Sequence, residues 1–337
     1  MKEKQAMQAM QAIVFDEFGG PEVLTTREVA RPEVRPHDLL VANASIGVNR
    51  ADMSHRKGAY GRANFGDSDI MGLEIAGTVV DMGSQVRGYA IGDRVMGIVG
   101  GGAYAELSRI DHRMAMHVPP GLALREAGAV AEVFVTAHEA LFHLARLQAG
   151  ESVLIHAAAG GVGSAAVQLA HAAGARVFAT AGGDKRGAVE RFGADEVIDY
   201  RTDDFQSVVA RKTHGQGVDV VIDFVGPSYL ERNVRSLAVG GRLVVVGLLG
   251  GTEGAVLPMD VLLYRHLQIF GTVMKSRPPE VKQAMVQRFA QRWLDALAGG
   301  VIRPVIDSTY ALCEAAQAHR RMESGESVGK ILLLPGG

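Results

Sequence analysis

Residues 151–163, ESVLIHAAAGGVG, decide the fold of this chain, and the apolar run VFATAGG at 177–183 continues the pattern. Ser152 to His156 reads as a short buried strand. Ala157, Gly160 and Gly163 then make an AxxGxxG turn, and Val162, Ala166, Leu169, Ala170 and Ala173 recur at helical spacing. Strand, glycine turn and helix in that order form a dinucleotide-binding unit. Missing side chains let the backbone approach a pyrophosphate, and the helix N-terminus offers unpaired N–H groups and partial positive charge. Ala159, Gly160, Gly161, Val162 and Gly163 are the candidate contacts.

Alternation continues downstream. Strand-like runs fall at Arg176–Thr180, Glu196–Asp199, Val218–Asp223, Arg242–Gly247 and Leu267–Gly271, with helix-length segments between most of them. With the first strand they give six parallel strands, hence an α/β, doubly wound Rossmann sheet.

The end of the second strand selects the cofactor. A site for NAD places Asp or Glu about 20 residues after the glycine turn, to bind the ribose hydroxyls. Here Thr180, Ala181, Gly182 and Gly183 occupy that region and Lys185 and Arg186 follow, a pattern that favours NADPH. Asp184 is the complication, because its carboxylate could still reach a ribose.

At 337 residues, 47% hydrophobic and 21% charged, the chain can bury a large core in two domains. A net charge of −2 gives no support for nucleic-acid or membrane-surface binding. The single cysteine, Cys313, excludes an intrachain disulfide framework and a cysteine-rich zinc site. With no apolar run of membrane length, a cytoplasmic location is expected. Residues 1–9 are read as a disordered extension, with Met10 the natural beginning.

Residues 12–131 have another texture: short β-like runs such as LLVANASIGV, GLEIAGTVVDMG and GGAYAELSRI, broken by Gly, Pro, Asn and Asp. Close turn signals with little helical periodicity predict a partly open β-barrel. Gly92-Asp93-Arg94-Val95 reads as a tight turn entering a strand. A helix is expected from Leu124 to about Arg146. The tail from Ile302 has β-like ends around a helix and is assigned back to the first domain.

Together these segments resemble the medium-chain dehydrogenase/reductase superfamily. The nearest likeness is to its zinc-free, zeta-crystallin-type NADPH:quinone oxidoreductases, in the tumour-suppressor-inducible branch. The resemblance rests on GVNRADMSHRKGAY (47–60), GLEIAGTV (72–79), GDRVMGIVGGGAYAE (92–106), AAAGGVGSAAVQLA (157–170), GADEVIDY (193–200), the stretch 221–251 and SVGKILL (327–333). It implies a GroES-like barrel domain from 10–131 and 275–337, a Rossmann domain from 132–274, and a homodimer.

The departures from zinc-dependent relatives bear on mechanism. Where those enzymes carry a metal-binding cysteine this chain has Asn49, and where a histidine precedes the glutamate it has Leu73; neither is a competent zinc ligand. His55, His112, His117, His138, His143 and His156 are scattered rather than set at ligand spacing, so no metal site is expected. Without Lewis-acid help, the favoured substrates are conjugated carbonyls, quinones or enones, whose electrophilicity and conjugation accommodate a hydride.

The resemblance places Asn49 and Tyr60 beside nicotinamide and substrate as catalytic donors, with Asn49 also touching cofactor. It places Thr136 near the carboxamide, although helix capping is an equally economical reading. Lys185 and Tyr200 match a pair that holds the 2′-phosphate, and Gly182 lies beside them. Leu248, Leu249, Gly271 and Thr272 fall on loops that would meet the nicotinamide, and Lys330 approaches the cleft or is a solvated surface lysine. Ser54 replaces a tyrosine and Ser327 an asparagine found in relatives, which weakens the contacts made there. Two other functions remain open at this point: an enone or enal reductase, and a non-catalytic NADPH-binding protein.

Overall fold

The computed structural model describes residues 9–59 and 68–336. Tyr60 and most of the expected pocket-rim segment 61–70 lie outside the described residues.

The chain opens with β1 (Ala9–Val14), paired antiparallel to β2 (Thr25–Ala30). β3 (Asp38–Val48) leads into the short helix α1 (Arg50–Arg56), and β4 (Glu74–Met82), β5 (Arg94–Ile98), β6 (Leu107–Asp111) and β7 (Ala115–His117) follow. β3 organises this unit. One edge pairs with β4 along most of its length, while the other is shared: residues 38–42 pair with β6, and residues 46–48 with a strand from the end of the chain. Asn43 fills the divide. Its Nδ2 donates to the Ala105 carbonyl at 2.8 Å and to Ser108 Oγ at 2.7 Å. The expected turn before β5 is present, with Gly92 at φ +94° and the Asp93 carboxylate accepting from the Ala90 amide. Leu39, Val41, Ile46, Val48, Ile75, Val79 and Val95 bury the inward face.

The helix expected over 124–146 is broken. α2 (Leu124–Ala127) stops at Gly128, α3 (Ala131–His138) restarts, and a π-helical turn occupies Glu139–Leu144. Close fit against β3 causes the first break: a Cβ on Gly128 would lie 2.4 Å from Ser45 Oγ, which instead accepts the Gly128 N–H.

Next come β8 (Ser152–Ile155), α4 (Gly161–Ala172), β9 (Arg176–Ala181), α5 (Arg186–Arg191), β10 (Glu196–Asp199), α6 (Phe205–Lys212), β11 (Val218–Asp223), α7 (Pro227–Ser236), β12 (Leu237–Val245), α8 (Met259–Tyr264) and β13 (Gln268–Gly271). The six strands form one parallel sheet in the order β10-β9-β8-β11-β12-β13. This is the doubly wound arrangement read from the sequence. β12 begins earlier than expected, because Val218 pairs with Leu237 and a register shift absorbs the intervening residues. Leu154, Phe178, Val221 and Leu243 from the strands pack with Phe205, Val209 and Val234 from the helices, all with almost no exposed surface.

α9 (Pro279–Ala298), β14 (Ile306–Ala311), α10 (Ala315–Glu323) and β15 (Lys330–Leu334) complete the chain. β15 pairs antiparallel with β3 and parallel with β14, so the tail joins the first sheet. Of the described residues, those up to Glu132, Val286–Gly300 and those from Pro304 form one compact unit; Val133–Met285 with Val301–Arg303 form the other. Residues 275–285 thus cluster with the parallel sheet. Among the described residues no helix is long and apolar enough to cross a membrane.

The glycine turn sets the fit of α4 on its sheet. A Cβ on Gly163 would stand 2.3 Å from the Ala157 carbonyl oxygen, whereas one on Gly160 would meet the same atom at 3.3 Å. Gly163→Ala should therefore lower stability by about 1–3 kcal/mol, the range for overpacking a tight site, and Gly160→Ala by clearly less. Urea denaturation of the two variants checks the order; equal losses would remove the close-packing role of Gly163.

Candidate active site

In the first unit the chemistry collects where β3 runs into α1. Gly47 pairs with Glu74 across the β3–β4 ladder, and a Cβ on Gly47 would lie 2.0 Å from Glu74 Oε2. Glycine there lets the Glu74 carboxylate fold over the strand. Lys330, the first residue of β15, meets it: its Nζ lies 2.7 Å from Glu74 Oε2, 2.5 Å from Asn49 Oδ1 and 2.8 Å from the Val48 carbonyl oxygen. The side chains of Lys330 and Glu74 are 3% and 0% exposed, so the surface alternative for Lys330 is overturned.

The ammonium fixes the orientation of the Asn49 amide, whose oxygen must face it. Its Nδ2 donates to the Gly47 carbonyl at 3.1 Å and to Glu74 Oε2 at 3.2 Å. Glu74 Oε1 accepts the Glu132 amide at 2.8 Å. This set does not fit zinc. Leu73 offers no donor atom, and both Asn49 Oδ1 and Glu74 Oε2 already accept from an ammonium.

A second buried string ties α1 to α10. Arg56 is fully buried at the end of α1, donating to the Gly19 carbonyl, to His319 Nδ1 at 2.9 Å and to Glu323 at 2.5 Å. Because a guanidinium only donates, His319 carries its proton on Nε2 and gives it to Tyr104 Oη at 3.0 Å; Tyr104 in turn donates to Asp52 Oδ2 at 3.2 Å. The Asn49 backbone amide donates to the same oxygen at 2.8 Å. Asp52 Oδ1 is buried with no partner among the described residues. Burial pushes the Asp52 carboxyl up to about 7, against the opposing Asn49 amide, Lys330 and Tyr104, and burial with the Arg56 charge pushes His319 down to about 3.

In the second unit the candidate residues gather at the carboxyl ends of the parallel strands. Gly160 caps α4 with no side-chain bond, so the amides of Gly161, Val162 and Gly163 form a first turn with no capping side chain over it. Ala157 holds φ +47°, a left-handed conformation that costs a residue with Cβ about 1–2 kcal/mol. Beneath the turn His156 is neutral, bonded to Thr180 Oγ1 at 2.9 Å and Asn233 Oδ1 at 2.7 Å, with burial pushing it down to about 4. It is a core residue rather than a ligand.

Gly182, Lys185 and Tyr200 lie at the ends of β9 and β10, and Tyr200 is about half exposed. Leu248 and Leu249 are exposed on the loop after β12, where the Leu249 amide bonds the Phe224 carbonyl. Gly271 ends β13 facing open space, and the buried Thr272 donates its amide to Val245. Thr136 lies inside α3, five residues past its start, so the capping alternative for it fails. Ala159 is buried within the turn. Asp52, Tyr104, His319 and Arg201 went unremarked in the sequence. Only Asp52 carried a signal, three residues after the helix-capping Asn49.

A glycine turn leading into an uncapped helix N-terminus, at the strand edge where the order reverses between β8 and β11, is a dinucleotide cradle. Joined in one chain to a GroES-like sheet, it defines a nicotinamide-dependent oxidoreductase. Comparison with known families agrees: residues 35–146 match the alcohol dehydrogenase GroES-like domain and residues 161–291 the zinc-binding dehydrogenase family. The chain is 35% identical to a rat quinone oxidoreductase over 330 residues, covering 96% of this chain and 98% of that one. The structure of an Escherichia coli quinone oxidoreductase complexed with NADPH superposes with a TM-score of 0.86 at 30% identity, covering 96% of this chain and all of that one. CurK enoyl reductase gives a TM-score of 0.85 at 27% identity, with 97% and 99% covered. The chain belongs to the quinone oxidoreductases of the medium-chain dehydrogenase/reductase superfamily.

Removing one member of a buried ion pair leaves the other uncompensated, at about 3–5 kcal/mol. Lys330→Met should cost about that much, and adding Glu74→Gln should recover part of it; a single variant as stable as the parent would show the pair contributes nothing.

Asp52 supplies a pH signature. Its folded pKa lies above the unfolded value, so its contribution favours folding below about pH 4 and is lost as pH rises through about 7. Asp52→Asn keeps the acceptor and does not titrate. Its stability relative to the parent should therefore improve steadily from pH 4 to 8, and a flat difference would place the Asp52 pKa in the ordinary carboxylate range.

Proposed function

We propose that the enzyme reduces quinones with NADPH and without a metal. The observation that carries this reading is the combination of the uncapped α4 N-terminus with basic groups, Lys185 among them, at the ends of β9 and β10. The Gly161–Gly163 amides hold the pyrophosphate, Lys185 and Tyr200 the 2′-phosphate, and Thr136, Leu248, Leu249, Gly271 and Thr272 the nicotinamide half. The cofactor, when bound, supplies a hydride from nicotinamide C4.

On the substrate side Asn49 donates to a carbonyl oxygen by exchanging its bond to the Gly47 carbonyl, with Tyr60 a second donor. Lys330 acts through Asn49 as a positioning residue, holding the amide oxygen so that Nδ2 stays on the side of Gly47 and Glu74. Hydride transfer gives the quinone two electrons and one proton's worth of hydrogen, and water supplies the second proton. Because conjugation spreads the developing charge, these donors replace a Lewis acid. Enone reduction is the second reading, favoured by the likeness to CurK enoyl reductase.

Assembly is proposed as a homodimer through the β13 edge. Leu263 and Tyr264 just before the strand are exposed at 67% and 78%, Val273 just after it at 49%, and Ile269 on it at 36%, apolar side chains that a second copy would cover.

Oxidation of NADPH and NADH against ortho-quinones, para-quinones and α,β-unsaturated ketones, with chelator present, tests the function. Quinone turnover with NADPH preferred is expected; turnover of enones alone would select the second reading, and none with any acceptor would leave a cofactor-binding protein. Lys185→Glu should weaken NADPH far more than NADH, and equal losses would remove Lys185 from the phosphate site. For the assembly, light scattering should give a dimer mass that falls to the monomer in Ile269→Lys, and a monomeric parent would overturn it.

A further inference from the structure

A second cation, which the glycine-turn motif does not reveal, comes from the end of β10 and lies against the carboxylate that follows β9. Asp184 stands about 20 residues beyond Gly163, where an acidic side chain would bind the ribose hydroxyls of NAD. Its carboxylate is not free for that task. Arg201 NH1 lies 3.1 Å from Asp184 Oδ1, and both side chains are more than half exposed. The Arg201 guanidinium lies 5.7 Å from the centre of the Tyr200 ring.

The two glycines before Asp184 are shaped by this cluster. A Cβ on Gly182 would lie 2.7 Å from Asp184 Oδ1 and 3.2 Å from Arg201 NH2, and one on Gly183 would lie 2.4 Å from Asp199 Oδ2. Asp199 also accepts the Arg201 backbone amide at 3.0 Å. Arg186 is turned toward Glu190, 3.9 Å away on the next turn of α5. The guanidinium at the bare backbone of Gly182 is therefore that of Arg201, and its present partner is a carboxylate.

We propose that Arg201 is a specificity-determining residue that binds the 2′-phosphate of NADPH, and that Asp184 is its built-in competitor, displaced from the guanidinium when the phosphate arrives. The proposal rests on the NADPH reading above and adds to it. A guanidinium donates to phosphate oxygens and to carboxylate oxygens through the same planar fork. A phosphate dianion outcompetes one exposed carboxylate, and an NADH ribose brings no charge to do so. The Asp184–Arg201 pair thus closes the site to the ribose diol and opens it to the phosphate. Lys185 and Tyr200 flank the same corner.

Calorimetric titration of the full-length protein with 2′,5′-ADP and with 5′-AMP isolates this contact without turnover, and the exposed side chains involved can be changed without threatening the fold. Arg201→Gln should weaken 2′,5′-ADP roughly 10- to 100-fold, the value of a charge-assisted hydrogen bond, and leave 5′-AMP within about twofold. Asp184→Asn should tighten 2′,5′-ADP, and that gain should shrink when Arg201→Gln is added, because the competitor acts through the guanidinium. If Arg201→Gln changes both ligands equally or neither, while Lys185→Ala abolishes the preference, Arg201 is not the phosphate group and the NADPH reading stands without it. If the parent itself binds 2′,5′-ADP no better than 5′-AMP, the NADPH reading fails and the proposal falls with it.

Discussion

The buried contact between Lys330 and Glu74 is the constraint on which the first unit turns. It draws together the last strand, the start of β4 and the junction of β3 with α1, segments far apart in sequence. A carboxylate with no exposed surface persists only beside a cation and hydrogen-bond donors, and Glu74 has the Lys330 ammonium, the Asn49 amide and the Glu132 N–H. The cost of the arrangement appears at Gly47, where any side chain would strike the carboxylate. The return is an asparagine amide held in one orientation at the mouth of α1.

The string from Arg56 to Asp52 fastens the same helix from behind. Every bond in it has a fixed direction, because it starts at a group that can only donate and ends on a carboxylate. A guanidinium does not release its proton near neutral pH, so the string holds geometry rather than conducting protons from Glu323 inward. Networks of this kind rigidify when every member is satisfied. The one atom left over, Asp52 Oδ1, is where a proton would complete the set, in keeping with a carboxyl raised toward neutrality.

What the sequence disclosed follows from the range of each signal. The parallel sheet was legible because strands buried on both faces read as continuous apolar runs and the turn before α4 needs glycine for local reasons; both are properties of neighbouring residues. The position of Asn49 was legible through its motif, but its partners were not. Lys330 follows it by 281 residues, and a lone lysine in VGK carries no mark of burial. His319 and Tyr104 were invisible for the same reason, since a histidine on a polar-looking helix reads as surface until α10 packs against α1. The helix expected from Leu124 broke because Gly128 answers to Ser45 on β3, a demand that helical periodicity does not record.

Asp184 shows how such a limit reaches into function. Read along the chain, an aspartate at that distance from the glycine turn argues for NAD and the lysine after it for NADPH; the local charges favour NADPH but do not show what the aspartate binds. The structure adds a non-local fact, a guanidinium from the end of β10 set against the carboxylate at the end of β9. Adjacent parallel strands bring their carboxyl ends side by side, so the loop after one strand edits the charge of the loop after its neighbour. If Arg201 takes the phosphate as proposed, cofactor preference is a property of paired strand ends, and a fingerprint confined to one strand, turn and helix reads only half of it.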